Sequence, residues 1–112
     1  MTTKILCAER GGQWIARAVR VETGDPFGVE YAGVSEDDAR MRLTRWLDWQ
    51  REHAAALDAL QQSERAYHRA IAGGAFANAA DGASVIELQK QSLAGVEAAR
   101  VRLDEVRSSK PE

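Results

Sequence analysis

Apolar and polar residues alternate at the start of the chain, and beyond residue 35 the apolar ones recur every three to four positions. KILCAER and QWIARAVRVE flank Gly11-Gly12, a two-residue link suited to a tight hairpin because glycine accepts positive φ at both places. Closing Arg10 onto Gln13 sets Glu9 opposite Trp14, Cys7 opposite Ala16 and Ile5 opposite Ala18. That side is small in its middle and bulky at its ends, so a helix fits closely over it. The other side carries Leu6, Ala8, Ile15, Arg17, Val19 and Val21 and is also partly apolar, so the pattern leaves open which side faces inward. TGDP reads as a turn, and the alternation from Phe27 to Tyr31 as a third, shorter strand. Residues 1–34 thus form a three-stranded antiparallel module.

Ser35 opens a helix. Its hydroxyl is placed to accept from a free first-turn N–H, and Glu36, Asp37 and Asp38 put negative charge at the positive end of the helix dipole. No glycine or proline interrupts residues 35–72, which gives a helix of about 37 residues, roughly 55 Å long. The segment 73–83, GGAFANAADGA, breaks it. Ser84 and Glu87 then have capping-box spacing and open a second helix over 84–108, before a frayed tail at 109–112. The predicted fold is α+β: a single domain of 112 residues with a sheet followed by a long antiparallel helical hairpin.

Alternating steps of three and four mark a seam on each helix. On the first it runs Leu43, Trp46, Gln50, His53, Leu57, Leu60, Glu64, Tyr67 and Ile71. On the second it runs Val85, Gln89, Ser92, Val96, Ala99, Leu103 and Val106. Folding the hairpin about residue 78 sets Ile71 against Val85, Tyr67 against Gln89, Glu64 against Ser92, Leu60 against Val96 and Leu57 against Ala99. The stretch from about Ala39 to Gln50 outruns the second helix and lies against the sheet. Trp46 and Trp49 then fill the junction between sheet, helix and a second subunit; an aromatic stripe at helical spacing is ordinarily core rather than a cofactor site. Polar seam residues such as Gln50, His53 and Glu64 can fix register and oligomer state, and a three-stranded sheet leaves open edges. Both features predict a homodimer.

Charge narrows the function classes. Residues 1–35 carry four basic and four acidic groups, 36–72 six and seven, and 73–112 five and six. Without a basic excess in any segment, general nucleic-acid binding is disfavoured. No apolar run approaches a membrane span and no signal pattern opens the chain, so a soluble cytoplasmic protein is expected. The lone Cys7 sits mid-strand beside alanines, as a packing thiol does, and suits a reducing compartment. The preference for alanine and arginine over lysine reads as a GC-rich, bacterial-type composition rather than as function.

No catalytic, cofactor or metal site is expected. A metal needs three or four converging ligands, and His53 and His68 lie about 22 Å apart along one helix. His53 reads as a hydrogen-bonded seam residue and His68 as a partly exposed one. Glu64, Tyr67 and His68 could suggest acid–base chemistry, but a seam glutamate bonded to Ser92 or Gln89 is the simpler reading. Arg40, Arg42 and Arg45 point to different sides of their helix, as solvated charge does. Phe76, the one large apolar residue of the interhelical loop, either tucks over Ile71 and Val85, which the pattern favours, or meets a partner.

The run WIARAVRVETGDPFGVEYAGVSEDDARMRL, residues 14–43, is similar to the small strand–strand–helix module of HicB-like antitoxins. The likeness rests on Gly33, the Ser35 cap and Ala39. It implies a regulator that binds a protein partner through its sheet. Those antitoxins usually end in a DNA-binding module, whereas this chain ends in a helical hairpin without a basic recognition helix. The leading expectation is therefore a non-enzymatic interaction or scaffold protein that self-associates through its hairpin. A HicB-like regulator and an enzyme using His53, Glu64 and Tyr67 are the alternatives.

Overall fold

The computed structural model describes residues 2–74 and 82–111. Three strands, β1 (Thr3–Arg10), β2 (Gln13–Arg20) and β3 (Pro26–Gly33), form an antiparallel sheet in the order β1-β2-β3. Two helices follow, α1 (Glu36–Gly74) and α2 (Gly82–Ser108). The chain divides into two compact units, one of residues up to Asp48 and the other of Trp49–Lys110.

In the first unit the hairpin has the expected register, with Glu9, Cys7 and Ile5 opposite Trp14, Ala16 and Ala18. Gly11 and Gly12 have φ of 59° and 81°, which makes the tight turn possible. The question of which face turns inward is answered by size. Ala16 and Ala18 are fully buried, and Ala39, Leu43 and Trp46 of α1 are buried on the same side. Small side chains at the sheet centre let the helix approach closely.

β3 is longer than Phe27–Tyr31 and is not regular. Ala18 pairs with Phe27 and Ala16 with Tyr31, so three residues of β3 bulge opposite Arg17 alone. Gly28, at φ 81°, sits in that bulge directly beneath the Trp46 ring, and Phe27 meets the same ring edge-on at 6.3 Å. The bulge therefore opens a seat for the indole.

The strand-to-helix corner is equally specific. The Asp38 amide donates to Ser35 Oγ at 3.1 Å, and Asp38 Oδ2 accepts from the Val34 amide at 3.1 Å, so the two side chains satisfy one backbone N–H inside the helix and one just before it. A Cβ at Gly33 would lie 2.5 Å from the Ala39 nitrogen, which only glycine avoids. The Val34 amide first, and the Arg42 guanidinium after it, hold the Asp38 carboxyl below the ordinary aspartate range. Because folding lowers this pKa, the contribution is present above the unfolded value and lost as pH falls through the folded one. Replacing Ser35 by alanine should cost about 1 kcal/mol in urea unfolding. Asp38→Asn should remove part of the acid-induced loss of stability below about pH 4; an unchanged acid limb would show the cap is idle.

In the second unit every predicted seam position of α2 is shielded: Val96, Leu103 and Val106 are buried and Val85, Gln89, Ser92 and Ala99 half-buried. The α1 seam is rotated from its expected line. The most buried positions are Ala56 and Ala70, seven residues on either side of half-buried Ser63, whereas Ile71 is 45% exposed. The register moves with it. Gln89 lies beside Ala70, to whose carbonyl its amide donates at 3.4 Å. Val85 abuts Gly74, three residues beyond its expected partner Ile71. Small residues win these places because they bring the helix backbones together. Gly74, expected in the loop, ends α1 for the same reason: a Cβ there would meet Gln89 and Val85. At the other end, α2 begins at Gly82, so Ser84 lies within its first turn rather than before it. Phe76 lies outside the described residues.

Candidate functional site

The densest meeting of chemically capable side chains is where α2 ends against the start of the second unit. Four residues apart on α1, Trp49 and His53 share a face, and their rings stack at 5.0 Å. The Trp49 indole N–H donates to the Val106 carbonyl at 2.7 Å. That carbonyl belongs to the last turn of α2, where no intrahelical N–H reaches it. It also accepts from the Ser109 amide at 3.1 Å and hydroxyl at 2.8 Å. The indole is thus a C-cap delivered from the neighbouring helix.

Two cations border this cap. Lys110 Nζ stands 5.5 Å from the centre of the Trp49 ring, a cation–π distance. Arg107 Nε–H donates to His53 Nε2 at 3.5 Å, a long bond. Positive charge at a helix C-terminus is also where the helix dipole favours it. The predicted frayed tail is therefore partly in use, since Ser109 bonds the Val106 carbonyl and Lys110 lies over Trp49. The arrangement can fix a helix end and position an indole; it contains no nucleophile aligned with a base.

The predicted interface residues divide between the two units. Leu43 and Trp46 belong to the sheet unit, where they are buried. Trp49, with Leu57 and Leu60, packs on a core of Ala56, Leu103 and Val106 in the second unit. The two tryptophans, expected to share a junction, serve different units. Val96 is buried, and Gln50, His53, Glu64 and Tyr67 are half-buried. Tyr67 lies tilted against exposed His68 at 6.2 Å. Among the described residues no group of three His, Cys, Asp or Glu is placed to hold a metal.

The arginines of the sheet unit are spread over separate contacts. Arg40 pairs with Glu36 at 3.2 Å and Arg42 with Asp38 at 3.4 Å, both one helical turn back. Arg20 lies over the Phe27 ring at 5.7 Å, while Arg17 lines a shallow concavity on the outer sheet face. Alternation along β2 puts Arg17 on the side opposite Ala16 and Ala18, away from α1. Arg107 and Lys110 escaped the sequence reading. The available signal was basic residues and a serine at a helix end, followed by Pro111.

Taken together, the fold and its polar contacts define an α+β chain whose indoles, caps and ion pairs hold structure. Comparison with protein-family models, with curated proteins and with solved structures found no match. Among the described residues no helix is long and apolar enough to cross a membrane.

Proposed function

We propose that this chain is a non-catalytic interaction protein that self-associates through its two-helix unit. The observation that carries the reading is an apolar stripe on α2 away from the seam. Ile86, Leu93 and Val101 are 54%, 40% and 58% exposed. Their spacings of seven and eight put them on one side of the helix, about a third of a turn from the buried positions. Aliphatic side chains so aligned suit packing against another helix, and they lie outside the core of Ala56, Leu103 and Val106. The polar groups support the same reading, being engaged in caps and one-turn ion pairs.

Light scattering coupled to size-exclusion chromatography tests it. Wild type should elute as an assembly of the 12.3 kDa chain, and Ile86→Glu/Leu93→Glu as a species of at most half its mass. Both positions are exposed, so the variant should keep its helical circular dichroism. Equal masses for the two proteins would sink the proposal.

A further inference from the structure

We propose that β1 pairs antiparallel with β1 of a second copy about a twofold axis at Leu6, joining two sheets into one of six strands. This contact is separate from the helical stripe and stands on the sheet alone.

The two edges of the sheet are built differently. β3 starts at Pro26, which has no N–H to offer, and is broken by its bulge and by Gly28 at positive φ. Proline and bulges are standard means of keeping an edge from pairing. β1 has neither. Its eight residues pair with β2 without a register shift from Thr3 to Arg10, so its free edge is a straight, regular template.

Hairpin geometry decides which backbone groups that template offers. A two-residue turn closes on a hydrogen-bonded pair, here Arg10 and Gln13. Hydrogen-bonded and non-bonded pairs then alternate, so Ala8, Leu6 and Lys4 direct their N–H and C=O groups to β2. Thr3, Ile5, Cys7 and Glu9 direct theirs outward.

The side chains choose the register. Antiparallel edge pairing between identical chains needs a twofold axis normal to the sheet, which keeps each face on its own side. Residues set opposite each other must therefore come from the same face. Centring on Leu6 sets Ile5 against Cys7, Thr3 against Glu9 and Lys4 against Ala8, with Leu6 against itself. The outward groups of Ile5 and Cys7, and of Thr3 and Glu9, then bond in reciprocal pairs. Centring instead on Cys7 would put Lys4 opposite Arg10 and Ile5 opposite Glu9, a like-charge clash and a poor packing pair. The Leu6-centred register has no like charges directly opposed. It also covers Leu6, 38% exposed, beside a concavity of about 170 Å³ that Leu6, Ala8 and Ile15 help line.

In this register Leu6 faces Leu6 across a non-hydrogen-bonded position, where Cα atoms stand about 4.5 Å apart. That distance falls within the range a disulfide spans. The test is oxidation of Leu6→Cys/Cys7→Ser at micromolar concentration, read on a non-reducing gel. Lys4→Cys/Cys7→Ser and Ala8→Cys/Cys7→Ser serve as controls, since neither faces itself. The Leu6 variant should crosslink at least tenfold faster than either control, and mixing the two controls should give a crosslinked heterodimer. Equal rates for all three would overturn the inference, as would efficient crosslinking of wild type through Cys7. Repeating the reaction with Ile86→Glu/Leu93→Glu added separates the two contacts. Crosslinking that persists there belongs to the edge, whatever becomes of the helical stripe; crosslinking that vanishes there overturns the edge as an independent contact.

Discussion

Gly28→Ala is expected to destabilise the sheet unit by about 3 kcal/mol, the sum of two separate costs. Gly28 has a φ of 81°, a conformation that any side chain strains. An added Cβ would also run into the six-membered ring of Trp46, which is buried and meets Phe27 edge-on. The indole cannot swing clear without losing that contact, so the clash forces the helix or the bulge to move. Gly24 supplies the control. Its φ of 75° is nearly the same, but a Cβ there meets nothing within 4 Å. Gly24→Ala should therefore show the backbone cost alone, about 1 kcal/mol. The difference between the two variants in urea unfolding measures the Trp46 contact. Hydrogen exchange should report lost amide protection across β1–β3 in the Gly28 variant, with α2 spared. If Gly28→Ala proves no worse than Gly24→Ala, the bulge is not a seat for the indole.

How much of this was legible in the sequence follows from how local each cause is. The hairpin register could be read because Gly11-Gly12 fixes it within two residues and strand alternation carries it onward. The α2 seam could be read because Val85, Val96, Leu103 and Val106 fall on one line of alternating three- and four-residue steps. On α1 the same rule marked positions that are buried or half-buried at every step but Ile71, but in the second unit it passed over the deepest ones. It ranked Leu57 and Ile71 above Ala56 and Ala70, yet close helix packing rewards small residues at the contact. The β3 bulge had no signal of its own, since Gly28 makes sense only with Trp46 above it. Likewise Trp49 was recognised as packing, but its indole acceptor is the Val106 carbonyl, 57 residues away. Nothing near Trp49 announces that carbonyl; only the folded hairpin supplies it. Placing the two tryptophans at one junction failed for a related reason. Three residues apart on a helix suggests shared surroundings, but the boundary between the two units falls between them.

The rotated seam makes its own large prediction. Leu103 and Ala56 are both buried and belong to one core cluster with Val106. Leu103→Ala should cost about 3 kcal/mol, from lost burial and from the cavity left beside a small neighbour. Ala56→Leu should cost about 2 kcal/mol, because the added methylenes enter a contact set by a methyl group. Together the two exchanges return the missing volume to the same cluster. The double variant should therefore lose less than the sum, by about 1 kcal/mol or more, a coupling expected only between residues in contact. Folding the hairpin about residue 78 would instead have paired Leu57 with Ala99 and Leu103 with His53, so that Ala56 and Leu103 would couple more weakly. Additive costs would favour that register. Leu57→Ala discriminates further: Leu57 is half-buried at the side of the cluster, so its loss should be smaller than that of Leu103. The urea midpoints of wild type and the four variants, at equal slope, decide between a seam built on aliphatic bulk and one built on close approach.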